Sequence, residues 1–468
     1  MAVSLPAEIF REYDIRGDVE RELTQEVFHT LGLAFGTELR ERGIQRMGVG
    51  RDLRTSSAAL ARAFAHGVLA TGVDVDDLGV ILTPTLYFCL NALGYPAGAV
   101  VTGSHNPANM NGLKVAIGTA TLYGEEIQAL RRRAEGGRFA SGQGRLDMAD
   151  PVPAYLDDLV RRIRLDRPLK VVVDAGHGTA ALFGPRFLRR LGVEVVPLYC
   201  DPDPGFPHHF PDPSDPRNMR DLMRAVRESG ADAGIAFDGD ADRLGAVDER
   251  GRIVTGDQLM VVFWREVLSR HPGAPAIVEV KSSDTVWQEI ERAGGRPFFY
   301  RTGHSLIKAK MREVGAVFAG ELSGHFFFAD EFYGYDDALY AAGRLLRLAA
   351  SPGRSLAALT ADVPVRPATP EVRVACDDRV KFDVVRRAAE ALAREHEVVT
   401  VDGVRARFEG GWGLIRASNT QPVLVLRAEA DSVAALEAIE RSLSAVLSAF
   451  PEVGEVAWPA PEAAGEPA

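Results

Sequence analysis

The chain has 468 residues, of which 46% are hydrophobic and 25% are charged. These proportions are ordinary for globular protein, and the length predicts several domains because single cores stop growing well below it. The net charge of -11 argues against nucleic acid or an anionic membrane surface as the main partner. Cys89, Cys200 and Cys376 are too scattered for a disulfide framework or a CxxC metal site, which favours a reducing compartment.

Targeting signals are missing from the sequence pattern. Residues 1–10 contain neither a basic nor an apolar segment of the kind found in signal peptides, and no apolar run is long enough for a transmembrane helix. We therefore expect a cytoplasmic protein with no membrane partner.

One pattern occurs three times, in residues 47–75, 169–195 and 276–298. Each copy has an apolar strand, a polar turn, an amphipathic helix, a glycine and a second strand, which is typical of a βαβ unit. The three copies predict three related α/β domains, each with a mixed but mostly parallel sheet and helices on both faces.

The C-terminal part has a different pattern, with strands in residues 371–376, 398–408 and 413–428 and helices in residues 380–394 and 432–449. Clustered strands favour a smaller α+β domain. The predicted fold is therefore three α/β domains and one α+β domain around a central cleft. The predicted boundaries are 1–150, 151–251, 252–366 and 367–455, followed by a flexible tail at 456–468.

The most informative segment is residues 100–109, VVTGSHNPAN. An apolar run enters a loop that presents Ser104 and His105 before the Asn-Pro turn. A serine in this position can act as a nucleophile or carry a phosphoryl group, although a plain polar turn has the same composition. No G-x-S-x-G elbow occurs, which argues against a serine hydrolase.

A second loop contains three alternating carboxylates, Asp238, Asp240 and Asp242, between two apolar strands. Carboxylates this close repel one another unless a cation neutralises them, and oxygen ligands favour a hard cation such as Mg²⁺. Arg243 occupies the position where an EF-hand needs glycine, so an EF-hand is disfavoured. Arg243 also suggests an anionic ligand beside the metal.

Two further loops contain polar groups suited to a sugar phosphate. In residues 318–326, Glu321 and Ser323 flank a leucine, and His325 is suited to moving protons near neutral pH. In residues 414–423, the guanidinium, hydroxyl and amide donors match a phosphate. These donors are Arg416, Ser418, Asn419 and Thr420.

The combination indicates phosphoryl transfer on a sugar phosphate, because the four loops fall in four successive domains. The sequence resembles the α-D-phosphohexomutase superfamily and, within it, the bacterial phosphomannomutase/phosphoglucomutase group. The resemblance rests on residues 102–107 (TGSHNP), 238–243 (DGDADR), 320–325 (GELSGH) and 416–422 (RASNTQP), with residues 10–17 (FREYDIRG) similar to the N-terminal signature.

The resemblance implies a resting enzyme phosphorylated on Ser104. This phosphoryl group would pass to a hexose 1- or 6-phosphate, and the resulting 1,6-bisphosphate would turn around and return its other phosphoryl group. Mg²⁺ is expected on Asp238, Asp240, Asp242 and the phosphate of Ser104. Glucose 1,6-bisphosphate is the expected activator.

The same resemblance implies roles for the remaining residues. Lys114, Arg243 and Arg16 would supply positive charge at the reacting phosphate. His325 is the first candidate for general acid/base catalysis, with Lys114 and His304 as rivals. Tyr13 and Lys281 would assist the Arg416–Thr420 segment in holding the non-reacting phosphate. Glu321 and Ser323 would bind the 3- and 4-hydroxyls, which predicts activity on both mannose and glucose.

Three alternatives stay open. Leu322 is the position where phosphoglucosamine mutases usually carry glutamine, so an amino-sugar substrate is the minority reading. A metal-dependent phosphatase using Asp238 as the nucleophile would leave Ser104 unexplained, and a non-catalytic sugar-phosphate sensor would not need the reactive residues. The partners expected are hexose phosphates, and the expected oligomeric state is a monomer or a weak dimer.

Overall fold

The structure is a computed structural model that describes residues 5–419 and 421–459. These residues form two compact units. Unit 1 comprises residues 5–253, 304–312 and 323–359. Unit 2 comprises residues 254–303, 313–322, 360–419 and 421–459.

The first sheet of unit 1 mixes parallel and antiparallel strands. Its strands are β1 (Ile15–Asp18), β2 (Arg46–Arg51), β3 (Asp74–Val80), β4 (Ala97–Val101), β5 (Met110–Ile117), β6 (Ala120–Thr121) and β7 (Leu146–Met148). Their order is β1-β5-β4-β2-β3-β7, with β6 beside β5. Strands β4, β2, β3 and β7 run parallel, whereas β5 is antiparallel to β4 and β1. Every residue of β4 is buried, as expected for a strand covered on both faces.

Helices cover this sheet. They are α1 (Gln25–Glu41), α2 (Ser57–Leu69), α3 (Thr83–Ala92) and α4 (Glu125–Gly136). Helix α1 begins after Thr24, whose hydroxyl accepts a hydrogen bond from the amide of Val27. Its apolar face packs on α2, where the rings of Phe35 and Phe64 lie 6.1 Å apart.

The second sheet of unit 1 is also mixed. Its elements are α5 (Val152–Arg162), β8 (Lys170–Asp174), α6 (Ala180–Arg190), β9 (Glu194–Leu198), α7 (Arg220–Ser229), β10 (Ala233–Phe237), β11 (Leu244–Asp248) and β12 (Ile253–Val254). The strand order is β12-β11-β10-β8-β9, with β10, β8 and β9 parallel and β11 antiparallel. The serine and acidic loops therefore follow the carboxyl ends of β4 and β10, where open α/β sheets place their ligands.

The next part of the chain contributes to both units. Its elements are α8 (Gly256–Arg270), β13 (Pro275–Glu279), α9 (Asp284–Arg292), β14 (Arg296–Tyr300), α10 (His304–Val314), β15 (Phe318–Gly320), β16 (Phe326–Phe328), α11 (Ala338–Ala349) and α12 (Leu356–Thr360). Within unit 2, β13 lies between β14 and β15 and is parallel to both. A capping box of Thr255 and Gln258 begins α8.

The C-terminal sheet of unit 2 is antiparallel throughout. Its elements are β17 (Val372–Ala375), α13 (Lys381–Leu392), β18 (Val398–Val399), β19 (Val404–Phe408), β20 (Gly411–Ala417), β21 (Val423–Ala430) and α14 (Val433–Ser448). The strand order is β17-β21-β20-β19-β18. Val456 and Trp458, within the segment predicted as a tail, pack against this core, and the indole of Trp458 donates to the hydroxyl of Ser444 at 2.8 Å. Residues 460–468 lie outside the described residues.

The predicted fold class is confirmed by these sheets. Each of the three βαβ units is present as a parallel pair with its helix: β2-α2-β3, β8-α6-β9 and β13-α9-β14. The antiparallel α+β domain follows them, as predicted. Among the helices that the structure describes, none is both long enough and apolar enough to cross a membrane.

The aromatic cluster of unit 2 gives a test of its packing. Phe318 is fully buried, with its ring 4.9 Å from that of Trp264 and 5.8 Å from that of Phe263. We expect Phe318→Ala to lower the free energy of unfolding by about 3–5 kcal/mol, because the cavity cannot be refilled. Urea unfolding, monitored by tryptophan fluorescence, measures this change in the free energy of unfolding.

The matched control is Phe382→Ala, because Phe382 is 59% exposed in the same unit. Its effect should stay within about 0.5 kcal/mol. Equal losses from the two substitutions would contradict the described packing.

Candidate active site

Ser104 lies in a buried loop in a strained backbone conformation. It follows β4 and has a φ of 49°, in the left-handed region that residues other than glycine rarely adopt. Its hydroxyl donates to Oδ2 of Asp238 at 2.9 Å and lies 3.1 Å from Nδ1 of His105. Side chains adjacent in sequence need not face each other, but here the ring of His105 is turned to the hydroxyl. The serine loop and the acidic loop therefore meet.

The acidic loop joins β10 to β11 and gathers three buried carboxylates. One oxygen from each of Asp238, Asp240 and Asp242 lies within 4.8 Å of the others. Oδ1 of Asp238 accepts from the backbone amide of Asp242 at 2.9 Å. Gly239 permits the close approach, since a Cβ there would lie 2.2 Å from the carbonyl oxygen of Ser104.

These carboxylates shift one another's pKa values. Burial, together with the charges of Asp242 and Asp240, raises the pKa of Asp238 well above its usual range. Burial acts in the same direction on Asp242, but Lys114 together with further neighbours that include Arg243 outweighs it and holds the pKa of Asp242 at about 2. Two of the three carboxylates are thus stabilised as anions, and the third is short of positive charge.

Lys114 on β5 bridges two of the carboxylates. Its Nζ donates to Oδ2 of Asp240 at 2.9 Å and to Oδ2 of Asp242 at 2.7 Å. Burial disfavours the ammonium, but these two charges outweigh burial and raise its pKa well above the usual value. Thr83 adds a hydrogen bond to Oδ2 of Asp240 at 2.5 Å.

The remaining oxygens of this cluster fit a cation. Within the described part of the chain, Oδ1 of Asp240 and Oδ1 of Asp242 are buried and have no hydrogen-bond partner. Unpaired buried carboxylate oxygens are costly, and an oxygen-rich donor set of this kind suits a hard divalent cation. The acidic cluster is therefore a candidate metal site.

Arg243 and His325 form a directed chain of hydrogen bonds beside the acidic loop. Nε of Arg243 donates to Nε2 of His325 at 3.0 Å, so that Nδ1 must hold the ring hydrogen. Nδ1 lies 3.0 Å from Oδ2 of Asp336 and donates to it. The other oxygen of Asp336 accepts from Nζ of Lys308 at 2.9 Å. This chain sets the tautomer of His325.

His304, at the start of α10, stacks on His325 with the ring centroids 5.5 Å apart. Burial and the nearby charge of Lys308 hold the pKa of His304 well below its usual value, which favours the neutral ring. The ring of Tyr13 lies edge-on to His304 at 5.8 Å. Tyr13 thus lies with these two histidines in unit 1. In the same unit, Arg16 on β1 forms an ion pair with Asp14 at 2.5 Å.

In unit 2, a network around Glu279 holds the loop of Glu321. Oε1 of Glu279 accepts from the hydroxyl of Thr302 at 2.7 Å, and Oε2 accepts from the amide of Leu322 at 2.9 Å. Glu321 is buried, and its Oε1 accepts from the amide of Gly303 at 2.6 Å. Ser323 is half-buried and belongs to unit 1.

Lys281 is tied to two carboxylates of unit 2. Its Nζ lies 3.1 Å from Oε1 of Glu279 and 2.5 Å from Oε1 of Glu371. Burial raises the pKa of Glu371, but Lys281 together with Arg416 and Arg373 outweighs it and holds that pKa at about 2. The predicted phosphate-binding lysine is therefore held in a fixed position by carboxylates.

Arg416, on β20, is oriented in the same way. Its Nε donates to Oδ2 of Asp402 at 3.1 Å, and its Nη2 lies 3.0 Å from the same oxygen. The same oxygen accepts from the amide of Thr302 at 3.1 Å. Asp402 thereby connects the guanidinium to the backbone that also supports Glu321.

Lys381 holds the loop after Arg416 by hydrogen bonds to its carbonyl oxygens. Its Nζ donates to the carbonyl oxygens of Ser418 and Gln421 at 2.5 and 3.0 Å. The hydroxyl of Ser418 accepts from the amide of Gln421 at 3.1 Å. Asn419 is half-buried in the same turn, and Thr420 lies outside the described residues.

Sequence reasoning missed the residues that hold the predicted ones in place. Asp336, Asp402 and Lys381 are far in sequence from their partners and belong to no motif in the sequence. Lys308 and Lys381 had one weak signal, because they are two of only six lysines in the chain.

Comparison with known proteins assigns the family. Four sequence models, described as phosphoglucomutase/phosphomannomutase α/β/α domains I, II and III and the C-terminal domain, match residues 7–140, 153–251, 255–366 and 371–446. A phosphomannomutase/phosphoglucomutase of Pseudomonas aeruginosa is 43% identical over 459 residues, covering 96% of this chain and 98% of the relative. The chain belongs to the phosphoglucomutase/phosphomannomutase family.

Two further relatives match nearly the whole chain at 40% identity, and a more distant solved structure shares its fold. A phosphoglucomutase of Neisseria gonorrhoeae is 40% identical, covering 97% of this chain and 99% of the relative. A crystal structure of a phosphoglucomutase/phosphomannomutase family protein from Burkholderia thailandensis has a TM-score of 0.90 at 40% identity, with coverage of 97% and 100%. An Aspergillus fumigatus N-acetylphosphoglucosamine mutase in complex with GlcNAc-6P and magnesium shares the fold, with a TM-score of 0.62, 14% identity and coverage of 95% and 96%.

The tautomer of His325 gives a test of the hydrogen-bond chain. In the wild-type protein, long-range proton–nitrogen spectra should show a protonated Nδ1 and an unprotonated Nε2. We expect Asp336→Ala to give a mixed ring signal, because Nδ1 loses its acceptor.

The matched control is Asp337→Asn. Asp337 is the buried neighbour that caps α11, and asparagine is also a good cap. This variant should keep the wild-type spectrum. An unchanged spectrum in Asp336→Ala would contradict the assigned chain.

Proposed function

We propose that this chain interconverts the 1- and 6-phosphates of glucose and mannose through a phosphorylated Ser104 and a hexose 1,6-bisphosphate intermediate. The observation that carries the proposal is the hydroxyl of Ser104, 2.9 Å from Asp238 within a buried cluster of three carboxylates. A serine in this position can carry a phosphoryl group. A metal cation and the positively charged side chains of Lys114 and Arg243 would offset the charge of that group. The mutase names of relatives about 40% identical support the same chemistry.

We propose Mg²⁺ as the cation, held by Asp238, Asp240, Asp242 and the phosphate of Ser104. Bound there, Mg²⁺ would neutralise charge on the transferring phosphoryl group. The unpaired oxygens of Asp240 and Asp242 support this assignment. Lys114 and Arg243 flank the same position and would also neutralise negative charge on the transferring phosphoryl group.

In the proposed reaction, a free sugar hydroxyl attacks the phosphorus of phosphoserine 104. The bond from phosphorus to Oγ breaks, the sugar hydroxyl gives its proton to a base, and the departing Oγ takes up a proton to restore the serine hydroxyl. Lys114 is engaged with two carboxylates, so we assign it to charge neutralisation. His325 is the first candidate for the proton carrier, and His304, which stacks on it, is the rival. Arg16 would add positive charge at the same phosphate.

The remaining predicted residues are proposed to hold the parts of the substrate that do not react. Arg416, Ser418, Asn419 and Thr420 would bind the second phosphate, with Lys281 and Tyr13 assisting. Glu321 and Ser323 would bind the 3- and 4-hydroxyls. Because this set does not contact C2, where glucose and mannose differ, both sugars should react.

The remaining assignments follow from the sequence. The proposed boundaries stay 1–150, 151–251, 252–366 and 367–455, and the cleft between the four domains stays a prediction. A cytoplasmic location is supported by three free cysteines. Hexose phosphates are the proposed partners of a monomer or weak dimer, with glucose 1,6-bisphosphate as activator.

Phosphorus NMR tests the reaction directly. The protein would receive Mg²⁺, a trace of glucose 1,6-bisphosphate and either glucose 1-phosphate or mannose 1-phosphate. We expect both to give 6-phosphates without free phosphate. Conversion of one sugar alone would contradict the assignment of Glu321 and Ser323. Glucosamine 1-phosphate as the better substrate would favour a phosphoglucosamine mutase instead.

Two variants separate the mutase from a phosphatase. Ser104→Ala should lose at least about 10³-fold of the mutase rate while retaining sugar-phosphate binding, because the group that accepts phosphoryl is gone. A phosphatase using Asp238 would survive this change and be abolished by Asp238→Asn. Release of inorganic phosphate by Ser104→Ala would therefore overturn the proposal.

The metal assignment has its own test. We expect Asp240→Asn to weaken Mg²⁺ binding to the phosphorylated protein by about 10-fold or more, because a ligand charge is lost. Titration calorimetry with Mg²⁺ alone measures this.

The control for this experiment is Asp248→Asn, which changes a buried carboxylate in β11 that pairs with Arg252. It should bind Mg²⁺ as the wild-type protein does. Equal affinities in all three proteins would contradict the metal site.

A further inference from the structure

Arg54 is a buried arginine that contacts four carbonyl groups of the serine loop. Its side chain is 2% exposed. Nη2 donates to the carbonyl oxygens of Ser104 and Asn106 at 2.8 and 2.6 Å. Nη1 donates to those of Pro107 and Met110 at 2.6 and 3.1 Å. One planar guanidinium therefore fixes both ends of residues 104–110.

Gly103 shows how closely the guanidinium lies against this loop. A Cβ at this position would lie 2.5 Å from Cζ and Nε of Arg54. Any other residue would have to displace the arginine or the loop. The glycine before Ser104 thus serves the contact with Arg54, and the next residue takes the left-handed conformation.

Asp52 completes the arrangement. Its Oδ2 accepts from the amide of Gly103 at 3.0 Å and lies 3.3 Å from Nε of Arg54. Its Oδ1 accepts from the amide of Arg54 at 3.0 Å and from the hydroxyl of Ser57. The carboxylate neutralises the arginine and fixes the first residue of the serine turn at the same time.

Phe206 covers the guanidinium, with Cζ of Arg54 5.1 Å from its ring centroid. Leu53 is tied to the neighbouring sheet as well, since its amide donates to the hydroxyl of Thr179 at 3.3 Å. The arginine is thus fixed by an ion pair, a ring contact and four hydrogen bonds, which restrict its movement.

These contacts have a consequence for an anion on Ser104. Peptide carbonyl oxygens carry partial negative charge and would repel a phosphoryl group. Arg54 engages the oxygens of Ser104, Asn106, Pro107 and Met110 on its own side of the loop. The hydroxyl of Ser104 meanwhile points to Asp238 in the acidic cluster.

We propose that Arg54, held by Asp52, is a positioning residue for phosphoryl transfer. It fixes the left-handed conformation of Ser104, so that Oγ is aimed at the metal cluster and the loop carbonyls are held away from the phosphoryl group. Its contacts to the serine loop are hydrogen bonds to backbone carbonyl oxygens, so we assign it to positioning and not to substrate binding. The proposal rests on the proposed function of Ser104.

The first test is Arg54→Lys, which keeps the charge but cannot reach four carbonyls in one plane. We expect kcat to fall by about 10²-fold, since misplacing a reacting group by about 1 Å costs this much. KM should change less than about 3-fold, because the substrate contacts are untouched. The rate at which glucose 1,6-bisphosphate phosphorylates Ser104 should fall with kcat.

The matched control is Arg344→Lys. Arg344 is fully buried and paired with Asp330 in the same unit. We expect it to lower thermal stability as Arg54→Lys does and to leave kcat unchanged. A fall in kcat of the same size in both variants would show a general effect of instability and overturn the proposal.

Rescue by guanidinium gives a second readout. Arg54→Ala leaves a space of the right shape, and millimolar guanidinium should restore part of its kcat while having no such effect on Arg344→Ala. If the alanine variant does not fold, Asp52→Asn takes its place. We expect Asp52→Asn to lower kcat by about 10-fold at constant KM, because the orientation of Arg54 is loosened.

Intact-protein mass spectrometry of the wild type separates the two proposals. A wild-type protein that turns over without phosphorylation of Ser104 would disprove the proposed function itself. A wild-type protein phosphorylated on Ser104, together with Arg54→Lys of unchanged kcat and phosphorylation rate, would disprove only the role of Arg54.

Discussion

The candidate site depends on one constraint, the burial of three carboxylates against the hydroxyl of Ser104. Three negative charges within 4.8 Å cannot persist in a buried loop without compensation. Lys114 supplies part of it, and the unpaired oxygens of Asp240 and Asp242 leave room for a cation. Phosphorylation of Ser104 would add more negative charge and make the cation more necessary. A cation that balances the charge of the acidic loop would therefore also serve the chemistry proposed for the serine.

The site residues are fixed by partners that do not react. Arg54 holds the serine loop, and Asp336 sets the tautomer of His325. In unit 2, Asp402 orients Arg416, and Lys381 holds the turn that follows it. Each partner is a charged side chain that makes at least two hydrogen bonds. Rigid placement of this kind suits the proposed reaction, in which two different phosphates would bind in turn, since the protein contacts could stay the same while the sugar reorients.

Much of the fold followed from local patterns in the sequence. The three βαβ units were predictable because an apolar strand, a polar turn, a helix and a glycine occur in a fixed order. The serine and acidic loops were predictable because their residue types are unusual side by side. The packing of Trp458 was not, because a segment rich in proline and alanine gives no periodic signal.

The supporting contacts were hidden for a different reason. Arg54 reaches carbonyl oxygens some fifty residues away, and backbone carbonyls leave no trace in the sequence. The chain has many arginines, so composition did not single this one out. The ring orientation of His105 was undetermined because neighbouring side chains need not face each other. Contacts between residues that are distant in the sequence could be identified only from the three-dimensional structure.

The most direct test of the central claim is a single-turnover experiment on protein carrying a radiolabelled phosphoryl group on Ser104. The labelled protein is mixed with glucose 1-phosphate and Mg²⁺ and quenched during the first turnover. The account predicts that the label leaves Ser104 as fast as the first turnover and appears in glucose 1,6-bisphosphate and then in glucose 6-phosphate. Label that remains on Ser104, or that is released as inorganic phosphate, while unlabelled 6-phosphate forms would contradict it.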